Sequence, residues 1–205
     1  VKDPGENINL IITGVGGQGN VLSSQLIGQA LVQKGFFVTI GETYGASQRG
    51  GSVMSHIRTS SQKQLSPLIP KGKADIVLGL EPVEALRVLT LYGNPRTVVI
   101  ANTRPIYPVD VTGGNEAYPD EEVIKNSLDD LSRKVYWIAA TDIALGMGSA
   151  ILGNMIMIGA LLNLGLIPLR PEEFRRTLER NFHDQRLAIN LQALQEGERI
   201  IRPLL

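Results

Sequence analysis

The sequence predicts an α/β fold: a Rossmann-like, doubly wound and mostly parallel sheet followed by a helical cap. Three features carry this reading. A branched apolar run, Ile8 to Thr13, ends in Gly14-Val-Gly-Gly-Gln-Gly19 and passes at once into helical spacing. Short apolar runs then alternate with amphipathic stretches as far as Ala139, and beyond that point the apolar spacing is helical throughout. Alternation of this kind marks parallel strands joined by helical crossovers. No repeat, low-complexity tract or linker divides the chain. The expectation is a single domain over 1–205, with the sheet in 1–140 and the cap in 141–205.

Each element has its own signal. Ile8 to Thr13 is apolar enough for a strand covered on both faces. Gln18 to Lys34 places Val21, Leu22, Leu26, Ile27, Ala30 and Leu31 on one broad stripe, with Gly35 as a natural helix end. Phe36 to Ile40 is a second strand ending at Gly41-Glu42, and the unit is expected to form a right-handed crossover between parallel strands. A polar glycine-rich loop, Thr43 to Gly51, leads to a strand over Ser52 to Arg58. Val53, Ser55 and Ile57 share one face of it, and Met54, His56 and Arg58 the other. Thr59 to Gln64 reads as a polar turn. Asp75 to Gly79 is a short buried strand, Pro82 opens a helix to about Leu91, and Thr97 to Ala101 repeats the strand pattern.

Asn102 to Pro119 holds Pro105, Pro108, Gly113, Gly114 and Pro119, so an extended excursion with little regular structure is expected. Asp120 to Leu131 is an amphipathic helix, and Val135 to Ala139 the last strand. In the cap, Phe174, Leu178 and Phe182 recur at four-residue spacing, and Leu187, Leu191 and Leu194 align on a further helix. Ile143 to Leu169 carries no charge and could span a bilayer on length alone. Gly146, Gly148, Ser149, Gly153, Asn154, Gly159, Asn163, Gly165 and Pro168 interrupt it, which favours a buried helix and argues against a membrane span.

Composition narrows the function. Lys and Arg number 20 against 20 Asp and Glu, so no net field draws in nucleic acid or an anionic membrane. Hydrophobic residues make up 43% of the chain, enough for a sizeable core. There is no cysteine, so the chain supplies no thiolate for an iron–sulfur cluster, a zinc site or nucleophilic catalysis. His56 and His183 are too few and too separate for a histidine metal site, and neither stands in a nucleophile-and-base arrangement. Neither a catalytic residue nor a metal ligand is expected. Val1 to Glu6 lacks the basic-then-apolar pattern of a secretory signal, and the cytoplasm is the expected compartment.

Two loops are candidate binding elements. Gly14, Gly16, Gly17, Gln18 and Gly19 stand between a strand and a helix, where glycines permit a tight turn and exposed N–H groups attract phosphate. Glu42 ends the second strand, where a dinucleotide-binding enzyme places the acid that holds a ribose hydroxyl. The same glycines equally serve close packing of strand on helix. In the second loop, Tyr44, Gln48, Arg49, Gly50 and Gly51 set one guanidinium beside a flexible glycine pair. Arg49 can fork onto a carboxylate or phosphate, or hold loop carbonyls. Tyr44 can stack on a ring or plug the loop. Glu81, beside Pro82, suits the start of the following helix through its charge.

These segments resemble the gamma subunit or domain of the 2-oxoacid:ferredoxin (or flavodoxin) oxidoreductases, most of all the small beta subunit of the indolepyruvate enzymes. The matching stretches are Gly14 to Gly19, Tyr44 to His56, Ser66 to Pro70, Ala74 to Pro82, Asn102 to Pro105, Tyr118-Pro119, Gly153-Asn154, Gly159-Ala160 and Asn190-Leu191, in family order. The resemblance implies a subunit of an enzyme that oxidatively decarboxylates a 2-oxoacid, reduces ferredoxin or flavodoxin and captures the acyl group on coenzyme A. It implies thiamine diphosphate, Mg and iron–sulfur clusters on partner subunits, and an oligomeric assembly. The absent cysteines, and the absence of a Gly-Asp-Gly thiamine signature, agree with that division. The two loops would then face the thiamine-bearing partner, with coenzyme A phosphates as their ligand. The related 2-oxoglutarate enzymes resemble Tyr-Gly-Pro-Glu-Ala-Arg-Gly-Gly in the second loop. Tyr44-Gly-Ala-Ser-Gln-Arg-Gly-Gly51 departs from that and tilts the substrate toward bulky or aryl oxoacids. Two rival readings remain: a stand-alone NAD(P)-dependent reductase, and a non-catalytic assembly protein on the same fold.

Overall fold

The first strand, β1 (Ile8–Val15), is buried along its whole length. It runs through the glycine turn into α1 (Asn20–Gln33), which closes on Gly35. Gly35 has a φ of 91°, a left-handed geometry that glycine adopts without the steric cost a Cβ brings. The computed structural model describes residues 7–44, 51–107, 109–114 and 117–202. After β2 (Phe37–Tyr44) and β3 (Ser52–Ser60) come β4 (Ile76–Gly79), α2 (Pro82–Tyr92) and β5 (Val98–Asn102). A four-residue helix, α3 (Val109–Thr112), sits in the expected excursion. Then follow α4 (Glu121–Leu131), β6 (Lys134–Ile138), α5 (Ala140–Gly146), a 3-10 turn (Ala150–Leu152), α6 (Gly153–Asn163), α7 (Pro171–Asn181) and α8 (Asp184–Ile201).

The six strands form one mixed, mostly parallel sheet in the order β2-β3-β1-β4-β5-β6. β1, β4, β5 and β6 pair in parallel, while β3 is antiparallel to both β1 and β2. The expected crossover therefore does join two strands of one direction, but β3 lies between them. β3 also continues through Thr59 and Ser60, which pair with Ile8 and Phe37, so the polar turn begins later than expected. The outer edge at β2 is partly covered by the chain that follows β3. Gln64 donates to the Val38 carbonyl at 2.9 Å and Thr39 Oγ1 donates to the Leu65 carbonyl at 2.8 Å. Such cover keeps an edge strand from recruiting another chain.

Alternate side chains of the strands feed two cores. On one face Leu10, Ile12, Ile57, Leu78 and Ile100 meet α1, α6, α7 and α8. On the other Ile11, Val77 and Val99 meet Ala85, Val88 and Leu89 of α2, and Ile124 and Leu128 of α4. The uncharged segment is broken into α5, the 3-10 turn and α6; α6 is buried as expected and shares one core with α1 against the sheet, while Leu145 and Ile151 before it are exposed. Among the described residues no helix is long and apolar enough to cross a membrane.

Candidate functional site

β1 delivers the glycine turn to the carboxyl edge of the sheet, beside the carboxyl ends of β4 and β5. Open α/β sheets place their ligands at this edge. Gly17 has a φ of 102° and Gly19 one of 85°, and Gly19 caps α1. Gln18 ties the turn down. Its Oε1 accepts from the Val15 N–H at 2.7 Å, and its Nε2 donates to the Leu80 carbonyl at 2.7 Å. A Cβ on Gly14 would lie against that Oε1 and Leu80 Cβ, so a larger residue there would push Gln18 off the turn. The Gly16 N–H donates to the Gly51 carbonyl at 2.9 Å, joining the two loops singled out from the sequence.

Over this turn lies a cavity of about 290 Å³. Gly16, Gly17 and Gln18 form one wall, Leu80, Asn102 and Ile106 a second, and Thr141, Ile151, Gly153, Asn154 and Met157 of the later helices a third. The starts of α5 and α6 line it beside the turn that leads into α1, and no charged side chain lines the cavity among the described residues. The Asn102 carboxamide spans β4, β5 and α5. It donates to the Leu80 carbonyl at 3.1 Å and to Thr141 Oγ1 at 2.8 Å, and accepts from the Thr141 N–H at 3.2 Å. Asn154 is 5% exposed and lines the cavity with no such partners, its Nδ2 packed over Gly19. Its polar atoms open onto the cavity, where water or a ligand can pair them.

A second cavity of about 250 Å³ lies under the excursion, walled by Pro105, Tyr107, Tyr118, Pro119 and Trp137. Tyr107 and Tyr118 meet edge to face at 5.1 Å. Glu81 reaches this region as well as capping α2, where its Oε2 accepts from the Glu84 N–H at 2.8 Å. Burial holds the Glu81 carboxyl above the usual carboxylate range despite its donors, and burial and Glu81 together push the Tyr118 phenol up.

The structure gathers only part of the predicted set. Gly16, Gly17 and Gln18 line the cavity, Gly14 and Gly19 belong to the same turn, and Gly51 bonds to Gly16. Glu42 does not line it: with β3 between β1 and β2, its strand end is displaced from the glycine turn, and Ser24 Oγ of α1 donates to it at 3.2 Å. For Tyr44 the strand backbone pairs with Val53, and its side chain is outside the described part of the molecule. Gln48, Arg49 and Gly50 lie outside the described residues. Asn102, Thr141 and Asn154 were absent from the sequence-based set, although Asn102 and Asn154 belong to the stretches that resemble the family. Their remaining signal is an uncharged polar side chain at a strand end or in an otherwise apolar segment. His56 is fully buried, its Nδ1 accepting from the Ile69 N–H at 3.3 Å, and His183 precedes α8, so neither lines the site. Among the described residues no three acidic or histidine side chains are grouped to hold a metal.

The chain is an α/β protein with a glycine-backed cavity at the carboxyl edge of its sheet, where folds of this class place ligands. The chain belongs to the pyruvate ferredoxin/flavodoxin oxidoreductase family, which matches residues 9–200. It is 36% identical to the indolepyruvate oxidoreductase subunit IorB of Archaeoglobus fulgidus over 190 residues, covering 93% of each chain. It shares the fold of the pyruvate oxidoreductase subunit PORC of Thermotoga maritima, with a TM-score of 0.71 and 21% identity over 95% of this chain and 96% of that one. It also overlies 32% of the 2-oxoglutarate:ferredoxin oxidoreductase chain of Magnetococcus marinus, at 23% identity over 98% of its own length with a TM-score of 0.76. That protein was solved with 2-oxoglutarate, coenzyme A and succinyl-CoA bound. Like these relatives, the chain is a subunit of an oxidoreductase complex.

Proposed function

We propose that this chain is the subunit that completes the active-site cavity of a cytoplasmic 2-oxoacid:ferredoxin (or flavodoxin) oxidoreductase and holds one end of coenzyme A. The observation that carries this is the cavity where the glycine turn, the starts of α5 and α6 and the Asn154 carboxamide converge. Backbone N–H groups at a helix start and a glycine turn suit phosphate oxygens, and the apolar part of the lining suits an uncharged portion of the same molecule. The lining brings no cation, so Arg49 of the adjoining loop is the residue we assign to charge complementarity, with Tyr44, Gln48 and Gly50 completing that loop. Glu42, which accepts from Ser24 of α1, is assigned a supporting role near the end of β2 in place of contact with the ligand.

The residues of this chain do not fit an iron–sulfur cluster, for want of thiolates, and carry no thiamine signature. Thiamine diphosphate, its Mg and the clusters therefore belong to partner subunits of one oligomeric assembly, where they supply decarboxylation and electron transfer. This chain contributes shape, exclusion of water and an anion-friendly backbone. The likeness to IorB subunits and the Tyr44 to Gly51 loop favour an aryl oxoacid of the indolepyruvate type.

The test is steady-state kinetics of the assembled complex carrying Asn154→Ala or Arg49→Ala. The expected result is a raised KM for coenzyme A with the KM for the 2-oxoacid unchanged. Unchanged coenzyme A dependence in both variants rejects the reading.

A further inference from the structure

Glu81 does more than a helix cap requires. An N-cap accepts one hydrogen bond, and the shorter Asp, Asn, Ser and Thr are the preferred residues for it. The glutamate at this position is 1% exposed and uses its second oxygen elsewhere. While Oε2 caps α2, Oε1 accepts from the Ile106 N–H at 3.3 Å and from the Tyr118 hydroxyl at 2.5 Å. Both donors belong to the Asn102 to Pro119 excursion, far from Glu81 in sequence. Ile106 walls the first cavity and Tyr118 the second. Thus one carboxylate, one residue beyond the Leu80 carbonyl to which Gln18 and Asn102 both donate, ties the end of β4 to the outer wall of the site.

The surroundings leave this role to Glu81 alone among nearby acids. Glu84, the next carboxylate, is already engaged by the Ser52 hydroxyl at 2.6 Å and the Arg87 guanidinium at 2.8 Å. The hydrogen bonds to Glu81 come from Glu84 N–H, Ile106 N–H and Tyr118 O–H, so neutral donors hold it in place of a counter-ion. Tyr107 packs edge-on against Tyr118 and faces the same pair. Among the described residues a further side-chain tie of this part of the excursion is the Arg104–Asp142 pair, half exposed on both sides and therefore weak.

We infer that Glu81, held by Tyr118, is a positioning residue that fixes the Ile106 wall of the cavity and so sets how tightly the assembled enzyme holds coenzyme A. This rests on the coenzyme A reading above. The contact is made through the wall: Glu81 touches neither substrate nor reacting atoms.

The experiment pairs two readouts in the assembled complex. Tyr118→Phe deletes the hydroxyl and keeps the ring in its edge-to-face seat. Hydrogen exchange at the Ile106 amide should accelerate in it. The KM for coenzyme A should rise about tenfold, the effect of losing one hydrogen bond to a charged acceptor, with the KM for the 2-oxoacid unchanged. Glu81→Gln retains a carbonyl oxygen for the Ile106 and Tyr118 donors, at the expense of the cap on Glu84 N–H, and should restore most of the coenzyme A affinity that Glu81→Ala loses. Unchanged exchange at Ile106 in Tyr118→Phe overturns the inference. So does faster exchange with an unaltered coenzyme A KM. Asn154→Ala and Arg49→Ala separate the two levels: if both leave coenzyme A unaffected as well, the ligand reading itself has failed, and if either raises the KM, only the wall has.

Discussion

Gly197 of α8 lies directly against the Ile156 carbonyl of α6, so close that a Cβ built on it would stand 1.9 Å from that oxygen. Reciprocally, a Cβ on Gly159 of α6 would stand 2.1 Å from the Leu194 carbonyl of α8. The two helices cross backbone to backbone at this pair of glycines. Neither contact can be relieved by a side-chain rotation, because the obstructing atoms are main chain. Gly197→Ala and Gly159→Ala are each expected to cost about 3 kcal/mol or more by overpacking. Gly146, with nothing within 4 Å of its Cβ position, is the internal control. Gly146→Ala should be neutral or stabilise by about 0.5 kcal/mol. Urea unfolding of the three variants measures the difference.

The Asn102 carboxamide makes a sharper prediction. Both of its functional atoms are used, and Thr141 depends on it for its backbone N–H and its hydroxyl. Asn102→Leu fills the volume but strands those groups, at about 2 kcal/mol or more for the buried pair. Thermal unfolding should show the loss. Coenzyme A affinity should fall as well, since the start of α5 forms part of the cavity.

The strand, glycine turn and helix at the start of the chain were legible because apolar period and glycine position act locally. The runs at β4, β5 and β6 were legible for the same reason. The insertion of β3 between β1 and β2 was not, since alternating Val53, Ser55 and Ile57 mark a strand without naming its neighbours. Thr59 and Ser60 read as turn residues by type, and only pairing with Ile8 and Phe37 makes them strand. The same insertion moved Glu42 off the glycine turn, so the dinucleotide pattern in the sequence overstated what the fold brings together. Glu81 was legible as a cap from its neighbour Pro82. Its bond to Tyr118 spans 37 positions through a proline-rich excursion, and no periodicity carries that information.

Two ion pairs on α8 should behave differently. Arg175 of α7 donates from one nitrogen to both oxygens of Glu198, at 2.6 and 2.8 Å, and that carboxylate is 8% exposed. Arg199 pairs with Glu196 at 2.8 Å on the open face of the same helix. Removing Arg175 leaves a nearly buried charge without its main partner, so Arg175→Ala should cost about 2 to 3 kcal/mol. Arg199→Ala should stay within about 0.5 kcal/mol. Added salt should narrow the second effect and leave the first largely intact, a comparison that urea unfolding at low and high ionic strength makes directly.

His56 sets the acid side of stability. Burial in β3, and then the nearby Arg58 charge, hold its imidazole below the usual histidine pKa of 6.5. Its Nδ1 accepts from the Ile69 N–H, which places the proton on Nε2, and the ring stands edge-on to Tyr92 at 5.1 Å. In the unfolded chain the same ring takes up a proton as pH falls through its ordinary value, while in the folded chain it stays neutral. The unfolded state therefore binds more protons in that window, and stability falls with pH. The contribution is complete above about pH 6.5 and is lost progressively below it, until the folded-state pKa is passed. Melting temperatures recorded between neutral pH and mild acid should show this decline in the native sequence and a shallower one in His56→Gln. A slope that is the same in both would remove His56 as its source.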